Sequence, residues 1–169
     1  IGGEGKIDEP LPFKNRWQAA KVDRKSFHAR CFDIVTMYHI SREIDFCYGH
    51  RLLNYSGKCR FLHGHNGRAV IKIAAESLDE RGMVFDFADV KKIVAGWIDE
   101  NLDHRMILNR EDPVVPIFQE MKEPVFLIDD NPTAENIARL IFDFTQQAGF
   151  PIVEVDLWET PRCYATYSG

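Results

Sequence analysis

The chain has 169 residues, of which 45% are hydrophobic and 28% are charged, as is ordinary for one folded soluble domain. Its 21 basic and 26 acidic residues give a net charge of −5, which argues against a broad nucleic-acid-binding surface. No apolar run has the length of a membrane span and no secretory signal is present, so a cytoplasmic protein with reduced cysteines is expected.

The amino-terminal part of the chain differs from the rest in its pattern. Residues 1–30 mix prolines, glycines and charges without a period, which predicts an extension, and residues 31–169 are predicted to form a single domain. Two β-rich runs follow, over residues 32–40 and 68–76, and each is predicted to be a strand.

Two amphipathic helices are predicted in the second half of the chain. Apolar residues at helical spacing indicate the first over residues 89–102. The second begins after Thr133, which is its predicted cap, and ends at Gly149.

The proline-containing segment 110–128 is predicted to be an irregular insert in which Val125–Ile128 can add a short strand. Two final runs, 152–159 and 162–167, predict a hairpin or consecutive strands. This order predicts an α+β fold, an antiparallel sheet with two helices on one face.

Three histidines form the most informative pattern. His63 and His65 flank Gly64, and in an extended segment this spacing points both imidazoles to one side. His50 lies thirteen residues before His63. Three imidazoles without a fourth protein ligand leave an open position on zinc, as in catalytic sites. The alternative is a fortuitous cluster; His28 and His39 are interpreted as ordinary surface or hydrogen-bonded histidines.

Four further residues carry candidate chemistry. Cys59 lies between two basic residues and close to the histidine pair, where a cation would lower its thiol pKa, so it is a candidate base, nucleophile or fourth ligand. The alternative is a buried apolar cysteine. Asp103 can orient His104 only in a turn, and a solvated helix end is the simpler interpretation of that pair. Glu159, unremarkable alone, can accept from adjacent N–H donors of a base.

Six ordered motifs resemble the family of 6-pyruvoyltetrahydropterin and 6-carboxytetrahydropterin synthases, from about Phe32 to Tyr167. They are Phe46-Cys47-Tyr48-Gly49-His50-Arg51-Leu52, Cys59 to Asn66, Gly82 to Phe87, Leu102-Asp103-His104, Pro132 to Asn136, and Glu159-Thr160. One departure is Gly67, where the family typically has an aromatic residue; this glycine is expected to widen or loosen the pocket.

The resemblance implies the tunnelling fold, in which each subunit adds a four-stranded antiparallel sheet with two helices on one face to a barrel. Trimers then stack into hexamers, with active sites between subunits. The implied roles are zinc ligands for His50, His63 and His65, catalysis for Cys59, Asp103 and His104, and substrate binding for Glu159 and Thr133.

The implied substrate is a small molecule, 7,8-dihydroneopterin triphosphate, and neither a nucleic acid nor a membrane is an expected partner. The interval between Cys59 and His63 holds three residues, as is usual in the carboxy enzymes, whereas the pyruvoyl enzymes usually have a longer one. This favours 6-carboxytetrahydropterin synthase of the queuosine pathway. The alternatives are the pyruvoyl reaction, a non-catalytic pterin- or purine-binding protein, and a structural zinc site made by Cys59 and the three histidines. Arg51, Lys58 and Arg60 are candidate triphosphate contacts by charge alone.

Overall fold

The computed structural model describes residues 36–169. The predicted extension at residues 1–30, with His28, and the start of the strand predicted over 32–40 lie outside the described residues. No helix within the described part of the chain has the length and hydropathy needed to cross a bilayer.

Within residues 36–169, six strands form one sheet. They are β1 (Tyr38–His50), β2 (His63–Ala75), β3 (Arg105–Asn109), β4 (Val125–Ile128), β5 (Ile152–Thr160) and β6 (Cys163–Ser168), in the order β4-β3-β1-β2-β5-β6. The strands β1, β2, β5 and β6 pair antiparallel, whereas β3 runs parallel to both β1 and β4.

The expectation of a four-stranded antiparallel sheet is therefore corrected to a six-stranded mixed sheet. The four antiparallel strands are present, but β3 and β4 extend the edge beside β1. β3 has only five residues and β4 four, too few to show a clear two-residue period in the sequence. The possible strand at Val125–Ile128 is confirmed as β4.

Four α-helices accompany the sheet in the part of the chain that the structure describes. They are α1 (Phe87–Val90), α2 (Gly96–Asn101), α3 (Val115–Glu120) and α4 (Ala134–Gln147), with a π-helical turn at Lys91–Ala95 joining α1 to α2. The single helix predicted over 89–102 is thus three consecutive helical pieces, and Asp86 caps its start. In α4 the cap is Thr133, as predicted, and Gly149 follows its end with a left-handed φ of 89°.

Helix α3 lies within the segment predicted to be irregular, and that prediction was wrong there. Proline near the first position of a helix costs no internal hydrogen bond and has a favourable φ. Pro116 occupies such a position in α3. The prolines that suggested irregular structure are therefore compatible with a short helix.

The core lies between the sheet and the helices. In β1 the side chains of Ile44, Phe46, Tyr48 and His50 alternate onto the buried face. Buried residues from α1 to α2 and from α4 pack in the same cluster, among them Val90, Val94, Ile98, Ile137 and Ile141. Because β1 pairs with β2 through Tyr48–His65 and His50–His63, these four side chains share a face at one end of the core.

Candidate active site

The three predicted metal-binding histidines meet at the adjoining ends of β1 and β2. Their ring centroids are 4.5 Å apart for His50 and His63, and 5.1 Å apart for each ring and His65. His50 is buried, and the other two are half-buried. One ring nitrogen from each lies within 4.8 Å of the others.

Backbone carbonyls fix the tautomers of two of these rings. Nδ1 of His50 lies 2.6 Å from the Pro132 oxygen, and Nδ1 of His63 lies 2.8 Å from the Phe61 oxygen. A carbonyl only accepts, so each Nδ1 carries the proton and each neutral ring presents a lone pair at Nε2. Burial lowers the pKa of His50, although the Pro132 carbonyl and Glu159 oppose this effect, and the ring therefore favours its neutral, ligating form.

The remaining nitrogens suit a shared cation. Nε2 of His50 and Nε2 of His63 are 3.1 Å apart, where two lone pairs repel one another. Zinc–nitrogen bonds of about 2.0–2.1 Å in a tetrahedral site place two ligand nitrogens about 3.3 Å apart. The donor set and its spacing therefore fit zinc, and the carbonyl contacts at Nδ1 resemble the outer contacts that orient metal-bound imidazoles.

Glu159 reaches the same place from β5. Its Oε1 lies 3.8 Å from Nε2 of both His50 and His65, and the Tyr48 hydroxyl donates to it at 3.2 Å. A register shift between Trp158 and Thr160 leaves Glu159 out of the strand pairing. Burial raises the pKa of Tyr48 well above its ordinary value, and the neighbouring Glu159 carboxylate raises it further. The hydroxyl therefore remains a donor.

Gly67 does not leave open space beside this group. A Cβ added at Gly67 would lie 2.8 Å from Cε1 of Tyr48 and 3.6 Å from Cε1 of Phe46. The Tyr48 ring thus occupies the space into which a side chain at position 67 would project. The effect of Gly67 on the width of the pocket stays a prediction.

Asp103 and His104, the two adjacent catalytic candidates, both bind the backbone of β1 at Cys47. Asp103 Oδ2 accepts from Nδ1 of His104 at 2.7 Å, and Asp103 Oδ1 accepts from the Cys47 amide at 2.7 Å. The His104 amide donates to the Cys47 carbonyl at 2.6 Å. Adjacent residues can meet in this way because His104 has a left-handed φ of 55°, a conformation that is uncommon for a residue with a side chain.

The electrostatics of this pair favour an oriented imidazole. Burial works against the charged form of Asp103, but the Cys47 amide and His104 outweigh it and hold the pKa of the carboxyl below its ordinary value. An ionised Asp103 holds the proton on Nδ1 of His104 and leaves Nε2 available. The His104 side chain is 79% exposed, so Nε2 can reach a bound molecule.

Cys59 lies outside the histidine cluster. It is half-buried in the 3₁₀ turn Lys58–Arg60, where its carbonyl accepts from the Leu52 amide at 2.9 Å. The two potential ligand clusters in the described chain are His50, His63 and His65, and Cys47, Asp103 and His104; Cys59 belongs to neither. The cysteine beside Asp103 and His104 is thus Cys47, whose thiol donates to Asn66 at 3.1 Å.

Sequence reasoning missed Cys47 and Tyr48 as members of the site. The signal was available, because strand alternation from His50 places Tyr48 on the histidine face and Cys47 on the opposite face.

Two cavities of about 420 and 910 Å³ adjoin the side chain of Cys47. Cys47, Asn66 and His104 line both cavities. Volumes in this range accommodate small organic ligands.

The other candidate substrate contacts have structural partners. Thr133 Oγ1 accepts from the Asn136 amide at 3.4 Å, so its side chain caps α4. Arg51 makes a two-point ion pair with buried Asp112, with Nε donating to Oδ2 at 2.7 Å. The Arg60 guanidinium lies 4.6 Å from the centroid of the Phe61 ring. Of the three basic candidates, Arg51 is already neutralised by a carboxylate.

Comparison with known proteins identifies the family. A family model described as 6-pyruvoyl tetrahydropterin synthase matches residues 39–169. The chain is 38% identical over 135 residues to a protein of Rickettsia bellii named 6-carboxy-5,6,7,8-tetrahydropterin synthase, covering 76% of this chain and 98% of that protein. It is 34% identical over 139 residues to a Haemophilus influenzae protein of the same name, covering 78% and 99%.

Solved structures share the fold. An uncharacterized protein of Wolinella succinogenes superposes with a TM-score of 0.68 and 29% identity, covering 79% of this chain and 99% of that chain. The 6-pyruvoyl tetrahydropterin synthase of Caenorhabditis elegans superposes with a TM-score of 0.61 and 28% identity, covering 80% and 97%. With the site geometry and the matched length, these likenesses show that the chain belongs to the 6-pyruvoyl tetrahydropterin synthase family.

Proposed function

We propose that this protein converts 7,8-dihydroneopterin triphosphate and water into 6-carboxy-5,6,7,8-tetrahydropterin, acetaldehyde and triphosphate, with zinc as its cofactor. The observation that carries the proposal is the convergence of three imidazoles whose lone pairs face one another beside Glu159. Family membership supplies the reaction class, and the relatives named above supply the carboxy product.

Zinc held by His50, His63 and His65 would supply Lewis acidity that makes protons next to the side-chain hydroxyls of the substrate easier to remove. The protein must then hold the heterocycle in a fixed orientation. We assign this task to Glu159, because a carboxylate with two acceptor oxygens matches the adjacent N–H donors at the amino-oxo edge of a pterin.

Proton transfer is assigned to Cys59 and His104. Cys59 would act as a base and remove a proton from the substrate side chain. His104 would transfer a second proton through Nε2, while Asp103 holds Nδ1. Since Cys59 is not in the cluster that contains Asp103 and His104, the two groups are proposed to meet across a contact between copies of the chain.

The pyruvoyl reaction is the second candidate. The family model carries that description, and the C. elegans structure is an enzyme of that name. The three-residue interval between Cys59 and His63 and the names of the Rickettsia and Haemophilus relatives favour the carboxy reaction. Both reactions release triphosphate, so the pterin product and acetaldehyde distinguish them.

The test is incubation of the zinc-loaded protein with 7,8-dihydroneopterin triphosphate, followed by mass identification of the pterin and an assay for acetaldehyde. The 6-carboxy product with acetaldehyde is expected. A 6-pyruvoyl product without acetaldehyde would replace the proposal with the second candidate. Absence of turnover by metal-replete protein would contradict both and favour a pterin- or purine-binding role.

A further inference from the structure

We propose that Tyr48 is a positioning residue whose hydroxyl fixes the Glu159 carboxylate for the amino-oxo edge of a 2-amino-4-oxo heterocycle. This inference rests on the proposed function, because it takes Glu159 as the anchor of the substrate. It assigns a role to a tyrosine that neither the metal cluster nor the proton-transfer pair contains.

The hydrogen bond between Tyr48 and Glu159 defines which carboxylate oxygen remains free. The hydroxyl donates to Oε1, and that same oxygen faces Nε2 of His50 and of His65, both at 3.8 Å. Oε2 makes no hydrogen bond to another described residue. The hydrogen bond at Oε1 fixes the plane of the carboxylate, so that Oε2 and the second lone pair of Oε1 can accept from the two adjacent donors of a planar edge.

The ring of Tyr48 is buried among other aromatic rings. The residue is 3% exposed and stacks on Phe46 with ring centroids 5.3 Å apart. Its ring lies 5.4 Å from that of His50 and 5.8 Å from that of His65. A tyrosine enclosed in this way has few alternative rotamers, so it can hold the orientation of its partner.

Gly67 is required for this placement. Its hypothetical Cβ lies 2.8 Å from Cε1 of Tyr48, closer than real Cβ atoms approach another atom, and 3.3 Å from Cδ1, which is also a tight contact. Any side chain at position 67 must therefore displace the ring and carry the hydroxyl away from Glu159. Tyr48 and Gly67 thus form one unit, in which the aromatic ring comes from β1 instead of β2.

The first test measures binding of oxidised neopterin, a fluorescent pterin without the triphosphate, to zinc-loaded protein. Tyr48→Phe is expected to weaken binding about five- to tenfold, because one hydrogen bond to a charged group is lost. Its KM for the triphosphate substrate should rise by a similar factor while kcat changes less, and its zinc content should stay that of the wild type. The matched control is Tyr38→Phe, an exposed hydroxyl at the other end of β1.

The outcomes separate this inference from the proposed function. If Glu159→Gln abolishes neopterin binding and Tyr48→Phe binds as the wild type does, the positioning role is wrong while the proposed function stands. If the wild type itself does not bind neopterin, both fail together.

The second test examines the Tyr48–Gly67 unit. Gly67→Ala is expected to weaken neopterin binding in the wild type, since it displaces the ring. In a Tyr48→Ala background the added methyl group meets no ring, so Gly67→Ala should cause no further loss. If Gly67→Ala weakens neopterin binding equally in the two backgrounds, Gly67 acts independently of Tyr48 and the two residues do not form one unit.

Discussion

Two of the three histidines, His50 and His63, have their Nδ1 held by a backbone carbonyl, which leaves Nε2 as the nitrogen proposed to bind a metal. His50 is the most constrained, because it is buried and its Nδ1 donates to the Pro132 carbonyl. A ring held in this tautomer needs no rearrangement before it binds a metal. Cys59, by contrast, lies in a short turn outside the cluster, so its contribution to metal binding should be small.

We therefore expect Cys59→Ala and His50→Ala to differ in zinc content. Cys59→Ala should retain about one zinc per chain and lose about 100-fold or more in kcat, because a general base is removed while the ligands remain. His50→Ala should lose the zinc itself, since a tridentate site becomes bidentate. Metal analysis of the purified variants checks this.

Loss of zinc from Cys59→Ala would indicate the structural site made of one cysteine and three histidines instead. Cys163→Ala is the control, because Cys163 is an exposed cysteine at the start of β6 and belongs to neither ligand cluster.

At the scale of the elements, an ion pair ties the segment after β1 to the segment before α3. Arg51 follows the last residue of β1 and binds Asp112, which is 1% exposed. Burial disfavours the charged carboxylate, but Arg51 and the Val114 amide outweigh it and hold the pKa of Asp112 below its ordinary value. A depressed carboxyl pKa stabilises the folded state above the ordinary pKa of aspartate and loses this contribution as the pH falls through the folded value.

We expect Asp112→Asn to lower the free energy of unfolding by about 2–3 kcal/mol at pH 7, because it leaves a half-buried guanidinium without its charged partner. The difference from the wild type should shrink at a second, acidic pH below the ordinary pKa of aspartate, as the pH falls towards the depressed folded-state pKa of Asp112. Urea unfolding of zinc-free protein at both pH values measures it, and removal of the metal excludes zinc release as a cause. Asp129→Asn, which breaks an exposed pair with Arg110, should change stability little at either pH. An equal effect of Asp112→Asn at both pH values would contradict the pKa explanation.

The elements that sequence predicted well are those with a long period or a clear cap. Helix α4 has both, with Thr133 at its start and Gly149 at its end. β3 and α3 were missed because their five and six residues are too few to show a period, and they exist through pairing with β1 and through packing. The histidine cluster was predictable because two strands with defined alternation carry it. The Tyr48–Gly67 contact depends on the register between β1 and β2, which residue types alone do not specify.

At the scale of the whole molecule, the distribution of the candidate catalytic groups fits the proposed contact between copies of the chain. Asp103 and His104 are anchored to Cys47 of their own chain, and Cys59 is in neither cluster. Near Cys59, Phe61 is 60% exposed and Leu62 is 46% exposed. Contact of these apolar side chains with water is unfavourable, and burial against another copy would remove it. This is the arrangement expected if the sites of a trimer or hexamer are built from two chains.

Mixed assemblies test this arrangement. Cys59→Ala and His104→Ala, each with a different affinity tag, should each keep about 1% of wild-type kcat or less. Co-expressed and purified through both tags, they should recover a substantial fraction, since some sites receive Cys59 from one chain and His104 from the other. Cys59→Ala co-expressed with a chain that carries both substitutions is the control and should recover nothing. If the doubly tagged mixture is no more active than its components, the two groups act within one chain.

The contact between His50 and Pro132 has one more consequence. Pro132 immediately precedes Thr133, so the carbonyl that orients His50, a proposed metal ligand, belongs to the segment that begins α4. The proposed binding of zinc at the histidines and the order of the first turn of this helix would then be thermodynamically linked. A cell that carries a weakened α4 cap would show a defect that depends on its supply of zinc: pronounced under metal starvation and masked when zinc is abundant. In genetic terms, a folding lesion more than eighty residues from His50 in sequence would present as a metal-uptake phenotype.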